Sequence, residues 1–174
     1  VRPEDSPTQQ DKALQALTML VNKMAAGKVS ATVAPYLSGA RLHAANKKDG
    51  GIRPIAVGNL LRRLVSKCIS HDLSDHAAAL LSPHQLGVGV RGGCEAIVHA
   101  VRETLDKDGT MWVLQGDLIN AFNVADRGTA LNEVADKFPE ALAWVSTTYG
   151  TPSHLMFGDS PISSDTGFHQ GDPL

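Results

Sequence analysis

Apolar side chains recur along this chain with two different periods, and the changes of period mark its elements. Leu14, Leu17, Leu20, Val21 and Met24 fall at helical spacing, and Gly27 ends the run where a left-handed cap is wanted. A short helix or turn around Pro35 follows. Ala40 to Ala45 and Ile52 to Val57 read as two extended runs separated by Asn46-Lys47-Lys48-Asp49-Gly50-Gly51. An Asp-Gly step between such runs predicts a β-hairpin, because glycine tolerates positive φ, and Pro54 assigns its strand to a sheet edge. The spacing then predicts one long helix from Asn59 to Leu81. Its apolar face would carry Leu60, Leu61, Leu64, Val65, Cys68, Ile69 and Leu73, and its polar face Arg62, Arg63 and Lys67.

Beyond a glycine-punctuated loop over 83–93, Ile97, Val98, Val101 and Leu105 predict another helix. The apolar run Met111-Trp112-Val113-Leu114-Gln115-Gly116-Asp117-Leu118 predicts a buried strand. Helices are expected over 126–138 and 139–149, then a second hairpin with strands near 153–158 and 161–164 around Gly158-Asp159. The fold class is α+β, with helices on one face of a short antiparallel sheet.

Composition narrows the picture only a little. A length of 174 residues, 43% apolar and 20% charged, suits one sizeable domain, and a net charge of -2 gives no global footprint for a nucleic-acid partner. Locally, charge is segregated. Arg41, Lys47, Lys48, Arg53, Arg62, Arg63 and Lys67 fall in one stretch, while acidic residues gather in the second half. Cys68 and Cys94 sit in apolar helical patterns without a CxxC pairing, which predicts buried thiols of a reducing, intracellular compartment, nuclear or cytoplasmic. No apolar run approaches a membrane span and no signal peptide is evident, so no membrane partner is expected.

Several short constellations carry candidate chemistry. An acid leaving the end of a strand, Asp117, suits Mg²⁺, a hard cation that takes one or two carboxylates plus substrate oxygens. The glycine-tipped hairpin with Lys47, Lys48 and Arg53 suits a triphosphate, since a guanidinium fork chelates two oxygens and an ammonium supplies a point charge. Gly87-Val88-Gly89-Val90-Arg91-Gly92 has the form of a dinucleotide fingerprint, but no buried parallel strand precedes it and no βαβ unit surrounds it. His71 and His76 are five apart on a helix and face different ways, which argues against a shared metal.

Four motifs, in order, resemble a reverse transcriptase of the non-LTR retrotransposon (LINE-like) type over residues 40 to 174. They are Lys47-Lys48-Asp49-Gly50-Gly51-Ile52-Arg53-Pro54-Ile55 with Leu61-Arg62-Arg63-Leu64, the glycine-rich stretch 86–96, Asp117-Leu118-Ile119-Asn120-Ala121-Phe122-Asn123, and Gly167-Phe168-His169-Gln170-Gly171-Asp172-Pro173-Leu174. The last reads as a loop opening a helix. The resemblance implies an RNA-directed DNA polymerase, a nucleotidyltransferase using two Mg²⁺ (or Mn²⁺) ions, an RNA template, a DNA primer and a dNTP. It makes Asp117 the catalytic carboxylate and metal ligand, with the carbonyl of Leu118 assisting. Phe122 becomes the gate that rejects a 2′-hydroxyl. Lys47, Arg53 and Lys48 would contact the triphosphate, Gln170 the sugar, and Gly171 would let the backbone approach the base pair. Ile119, His169 and Arg91 depart from the family's usual lysine, glutamine and proline.

The family's paired-aspartate hairpin is absent from these residues. The expectation is therefore a piece of a longer chain: an N-terminal helical segment (1–39), a fingers-like region (40–110) and a partial palm (111–174), inactive alone and prone to self-association through an exposed palm edge. Two rivals remain. One is a non-enzymatic nucleic-acid-binding or interaction module derived from a retroelement. The other is an RNA-templated RNA polymerase, against which Phe122 speaks.

Overall fold

A computed structural model describes residues 8–48 and 50–174; Asp49 of the expected hairpin turn lies outside them. The first helix, α1 (Gln9–Ala25), starts at a reciprocal cap in which the Thr8 hydroxyl accepts from the Asp11 N–H and the Asp11 carboxylate accepts from the Thr8 N–H. It ends before Gly27, whose φ of +68° fits the expected left-handed cap. Only Val21, Met24 and Ala25 turn toward the core, and Leu14, Leu17 and Leu20 are exposed. A short α2 (Ala34–Ser38) leads into β1 (Ala40–Asn46), which pairs antiparallel with β2 (Ile52–Gly58) from Ala40 opposite Gly58 to Asn46 opposite Ile52. The Lys47 N–H closes the turn onto the Gly51 carbonyl at 2.7 Å.

Two further strands, β3 (Ser153–Phe157) and β4 (Ser160–Ser164), form the second expected hairpin. The sheet order is β2-β1-β3-β4, so β2 with Pro54 lies at an edge as expected. The sheet is not wholly antiparallel: β1 and β3 run parallel, with Ala40 beside Leu155 and Arg41 beside Met156. Residues 47–152 separate the two strands, β2 among them, the long crossover that parallel pairing requires and a tight turn cannot supply. The expected fingers-like and palm stretches thus each contribute two strands to one sheet.

The expected helix from Asn59 to Leu81 is two, α3 (Leu60–Asp72) and α4 (Ser74–Leu81). Its face is also rotated. Arg62, Val65 and Ser66 are buried with Ile69 partly so, while Leu60 and Cys68 are exposed. Past Ile69 no side chain of α3 is buried, and Ser70, His71 and Asp72 are weak helix formers, so packing no longer holds the helix together. Val65 meets Met24, Leu37 and Trp144 in the core. The Trp144 indole N–H donates to the Ser66 hydroxyl at 3.0 Å, which satisfies its polar edge. Trp144 belongs to α8 (Pro139–Tyr149), preceded by α7 (Arg127–Lys137) and the four-residue α6 (Ala121–Val124), which the sequence pattern does not announce.

Compactness divides the chain into residues up to Ile69 with Asn120–Leu174, and Ser70–Ile119. The second unit contains α4 and α5 (Gly93–Lys107). Here the expected strand 111–118 is not formed. Those residues have no regular secondary structure, and Trp112 and Leu114 are 94% and 97% exposed. A strand exists only as one side of a hydrogen-bonded ladder, and among the described residues none offers the other side. Cys94 is exposed like Cys68, so the expectation of buried thiols fails for both. The expected helix after Gly171 is also absent; residues 167–174 form turns and irregular backbone. No helix among the described residues is long and apolar enough to cross a membrane.

The least expected feature is a buried ion pair. Arg62 and Asp172 side chains are 1% and 5% exposed, with Nη2 at 2.6 Å and Nε at 2.9 Å from one carboxylate oxygen. Removing one partner from such a pair leaves a charge without compensation, at a cost of about 3 kcal/mol or more. Asp172→Asn should lower the urea midpoint accordingly. Adding Arg62→Met to it should cost clearly less than the sum of the two single changes in a double-mutant cycle.

Candidate functional site

The loop from Ser164 to Asp172 is held at both ends by arginines. At its start, Arg127, the first residue of α7, donates from Nε to the Gly167 carbonyl (2.7 Å), from Nη1 to the Ser164 carbonyl (2.9 Å), and from Nη2 to the Ser164 hydroxyl (2.8 Å) and the Thr166 carbonyl (3.2 Å). At its end, Asp172 takes Arg62 and the Tyr149 hydroxyl, the latter at 2.8 Å, while Arg62 Nη1 donates to the Ser38 carbonyl at 2.6 Å. Both guanidiniums lie over the Tyr149 ring, 4.8 Å and 5.4 Å from its centre. Burial pushes the Tyr149 phenol well above its ordinary range, so it stays a neutral donor to Asp172.

In the middle of the loop, Gly167 sits at φ +64° against the turn that precedes α7. A Cβ there would lie within 2.5 Å of the Asn123 carbonyl carbon and oxygen, so no other residue fits without a shift. Its N–H donates to the Ala125 carbonyl at 2.9 Å, and the Phe168 N–H donates to the Phe122 carbonyl at 2.6 Å. Asn120, at φ +56°, opens this turn. Two motifs more than forty residues apart in sequence are thereby joined backbone to backbone.

Of the residues singled out above, Phe122, Gln170 and Gly171 therefore belong to one packed cluster. Phe122 is 58% exposed and does not fill the core. Gln170 borders a cavity of about 210 Å³ with Leu42, Pro54, Ala56 and Asn123. Gly171, at φ +112°, stands beside β2, its would-be Cβ 3.5 Å from the Ala56 carbonyl and 3.6 Å from Ile55 Cγ2. Lys47 and Lys48 are exposed at the hairpin tip, and Arg53 stands exposed across from Ala45. Strand alternation places Arg53 on the sheet face of Ile55 and Val57, opposite the face of Pro54 and Ala56. The loop lines its cavity with Pro54 and Ala56, so Gln170 and Arg53 stand on opposite faces of the edge strand β2.

Asp117 and Leu118 lie in the 70–119 unit, exposed and irregular. No group of three or more His, Cys, Asp or Glu side chains among the described residues converges as a metal site would. One exposed carboxylate and a neighbouring carbonyl hold Mg²⁺ weakly, because the ion dehydrates reluctantly and needs several well-placed oxygens. These residues by themselves do not fit a resident metal.

A larger groove of about 1120 Å³ opens on the Arg53 face of the sheet, with Tyr36, Arg41, His43, His154 and Met156 in its lining. The sequence reading did not single these out as a group; only their cross-strand register, Val57 and Met156 flanking Arg41, brings them together. It also missed Arg62, Arg127 and Tyr149. Arg62 did carry a signal, its spacing of three, four and seven from Val65, Ser66 and Ile69.

His169 is buried edge-on to Tyr149, and neither ring nitrogen has a protein partner. Burial pushes its pKa from 6.5 down to about 4; the Arg62 and Arg127 guanidiniums push the same way, and the Asp172 carboxylate opposes them. The unfolded chain thus takes up a proton on this residue before the folded one does. Its contribution to stability is whole above about pH 6.5 and is lost as pH falls toward 4, by about 3 kcal/mol at most. Urea unfolding followed from pH 7 to 4 should show this loss, and His169→Gln should remove most of it. No protein-family model and no curated protein matches this chain.

Proposed function

We propose that this chain forms the fingers and the first part of the palm of an RNA-directed DNA polymerase of a non-LTR retroelement, working within a longer chain on an RNA template, a DNA primer and dNTPs. The observation that carries this reading is the docking of the 164–171 loop on the 120–125 turn through Gly167 and the Phe122 carbonyl. Two motifs that the resemblance sets beside one nucleotide's sugar have interlocked backbones. In this reading Gln170 and Gly171 line the nucleotide, the Phe122 ring excludes a 2′-hydroxyl, and Lys47, Lys48 and Arg53 close over the triphosphate as charge-assisted donors. Arg41, which has no ion-pair partner among the described residues, gives the open groove a cation suited to the phosphates of a single strand.

Asp117 and the Leu118 carbonyl contribute to a Mg²⁺ (or Mn²⁺) site completed by carboxylates outside these 174 residues. One carboxylate is too few for the two-ion clamp of nucleotidyl transfer, so the chain alone is inactive. The same scarcity favours a second reading, a nucleic-acid-binding or interaction module derived from a retroelement, which needs the cationic hairpin and the groove but no acid cluster.

Calorimetric titration with Mg²⁺–dATP separates the two. The polymerase reading expects saturable binding, weakened about tenfold by Lys47→Ala and by Arg53→Ala, and a preference over Mg²⁺–ATP that Phe122→Ala reduces. Binding of RNA·DNA duplex with no nucleotide binding at all would favour the module. Templated, Mg²⁺-dependent primer extension by these residues alone would overturn the claim of inactivity.

A further inference from the structure

Arg127 buries a guanidinium at 7% exposure and forms no salt bridge with any described residue. Its hydrogen bonds all end on one stretch of chain, the Ser164, Thr166 and Gly167 carbonyls and the Ser164 hydroxyl. A buried cation without a paired carboxylate is costly, and it is compensated here by loop carbonyls, the Ser164 hydroxyl, the Tyr149 ring face and the nearby Asp165 charge. A brace serving stability alone would be as well served by an apolar side chain of the same volume. What the guanidinium adds is direction, because its planar fork fixes where several carbonyls lie relative to α7.

Two groups depend on that placement. Arg127 follows, by two residues, the turn that carries Phe122. The stretch it grips continues directly into Phe168, His169 and Gln170. The Gly167 and Phe168 amides already join the two segments, and Arg127 holds the stretch leading into them. We infer that Arg127 is a positioning residue that sets the spacing between the Phe122 ring and Gln170, and through it the choice of deoxyribose over ribose. This rests on the polymerase reading above and deepens it, since it assigns sugar discrimination to a residue that touches no nucleotide.

The test uses the whole 174-residue chain with Arg127→Lys, which keeps charge and stem but loses the fork. The readouts are the ratio of Mg²⁺–dATP to Mg²⁺–ATP affinity, the thermal midpoint, and amide hydrogen exchange over 164–172. The expected result is a fall of about tenfold in the affinity ratio, about the size of one lost charge-assisted hydrogen bond, with faster exchange in the loop and unchanged exchange in α1. Ser164→Ala removes one acceptor only and should move the ratio the same way by less, which keeps the inference testable if Arg127→Lys does not fold. Trp144→Phe is the comparison for general weakening and should lower the midpoint without moving the ratio. Wild-type selectivity retained in both Arg127→Lys and Ser164→Ala overturns this inference alone. A wild-type chain that binds no dNTP overturns the polymerase reading and this inference with it.

Discussion

Two buried guanidiniums stacked on one tyrosine ring set the terms for the larger unit. Arg62 on α3 and Arg127 on α7 both lie over Tyr149 at the end of α8, so three helices share one aromatic plane. Arg62 is compensated by a carboxylate, and Arg127 by carbonyls of a loop. Both sources of compensation lie in the segment 164–172, so that segment cannot leave without exposing two charges to an apolar interior. Helix packing and loop placement are the same interaction. Charge requirements join the backbone bonds of Gly167 and Phe168 in holding the 164–172 segment in place.

Sequence periodicity reported elements better than it reported faces. The spacing of Leu14, Leu17 and Leu20 marks a helix correctly, yet those side chains remain exposed, because period tells only that one side is apolar and not that something covers it. On α3 the residue type misled: an arginine counts as polar in any pattern, while Arg62 is among the most buried side chains. Its stem packs like a hydrophobe once its head is paired, and the partner lies 110 residues away, beyond the reach of local pattern. Glycine was the most reliable signal. Gly27 and Gly171 were each marked as places where backbone turns or comes close, and each holds positive φ.

The strand expected over 111–118 failed for a different reason. A continuous apolar run describes how a segment would sit in a sheet, but a ladder needs a second edge. The four-stranded sheet has its own edges at β2 and β4, and none of its strands pairs with this segment. The position expected of Asp117 depends on a ladder these residues do not supply.

The placement of Gln170, by contrast, depends on anchors on both sides of it. Gly167 admits no side chain, its amide and that of Phe168 are both bonded to the 122–125 turn, and the flanks are fixed by Arg127 and by Asp172. His169, between those anchors, leaves both ring nitrogens without protein partners in an environment that keeps the ring neutral. A buried polar group left unmatched in this way costs stability, so nothing in the packing itself calls for a histidine at that position. The constraint runs through the backbone instead: the His169 N–H donates to the Tyr149 hydroxyl at 3.2 Å, and that same hydroxyl donates to Asp172. One phenol therefore fixes the chain on both sides of Gln170. Any side chain at 169 that keeps this amide in place would leave the glutamine where it is, and for that reason the departure from the family's usual residue there is compatible with the proposed role of its neighbour.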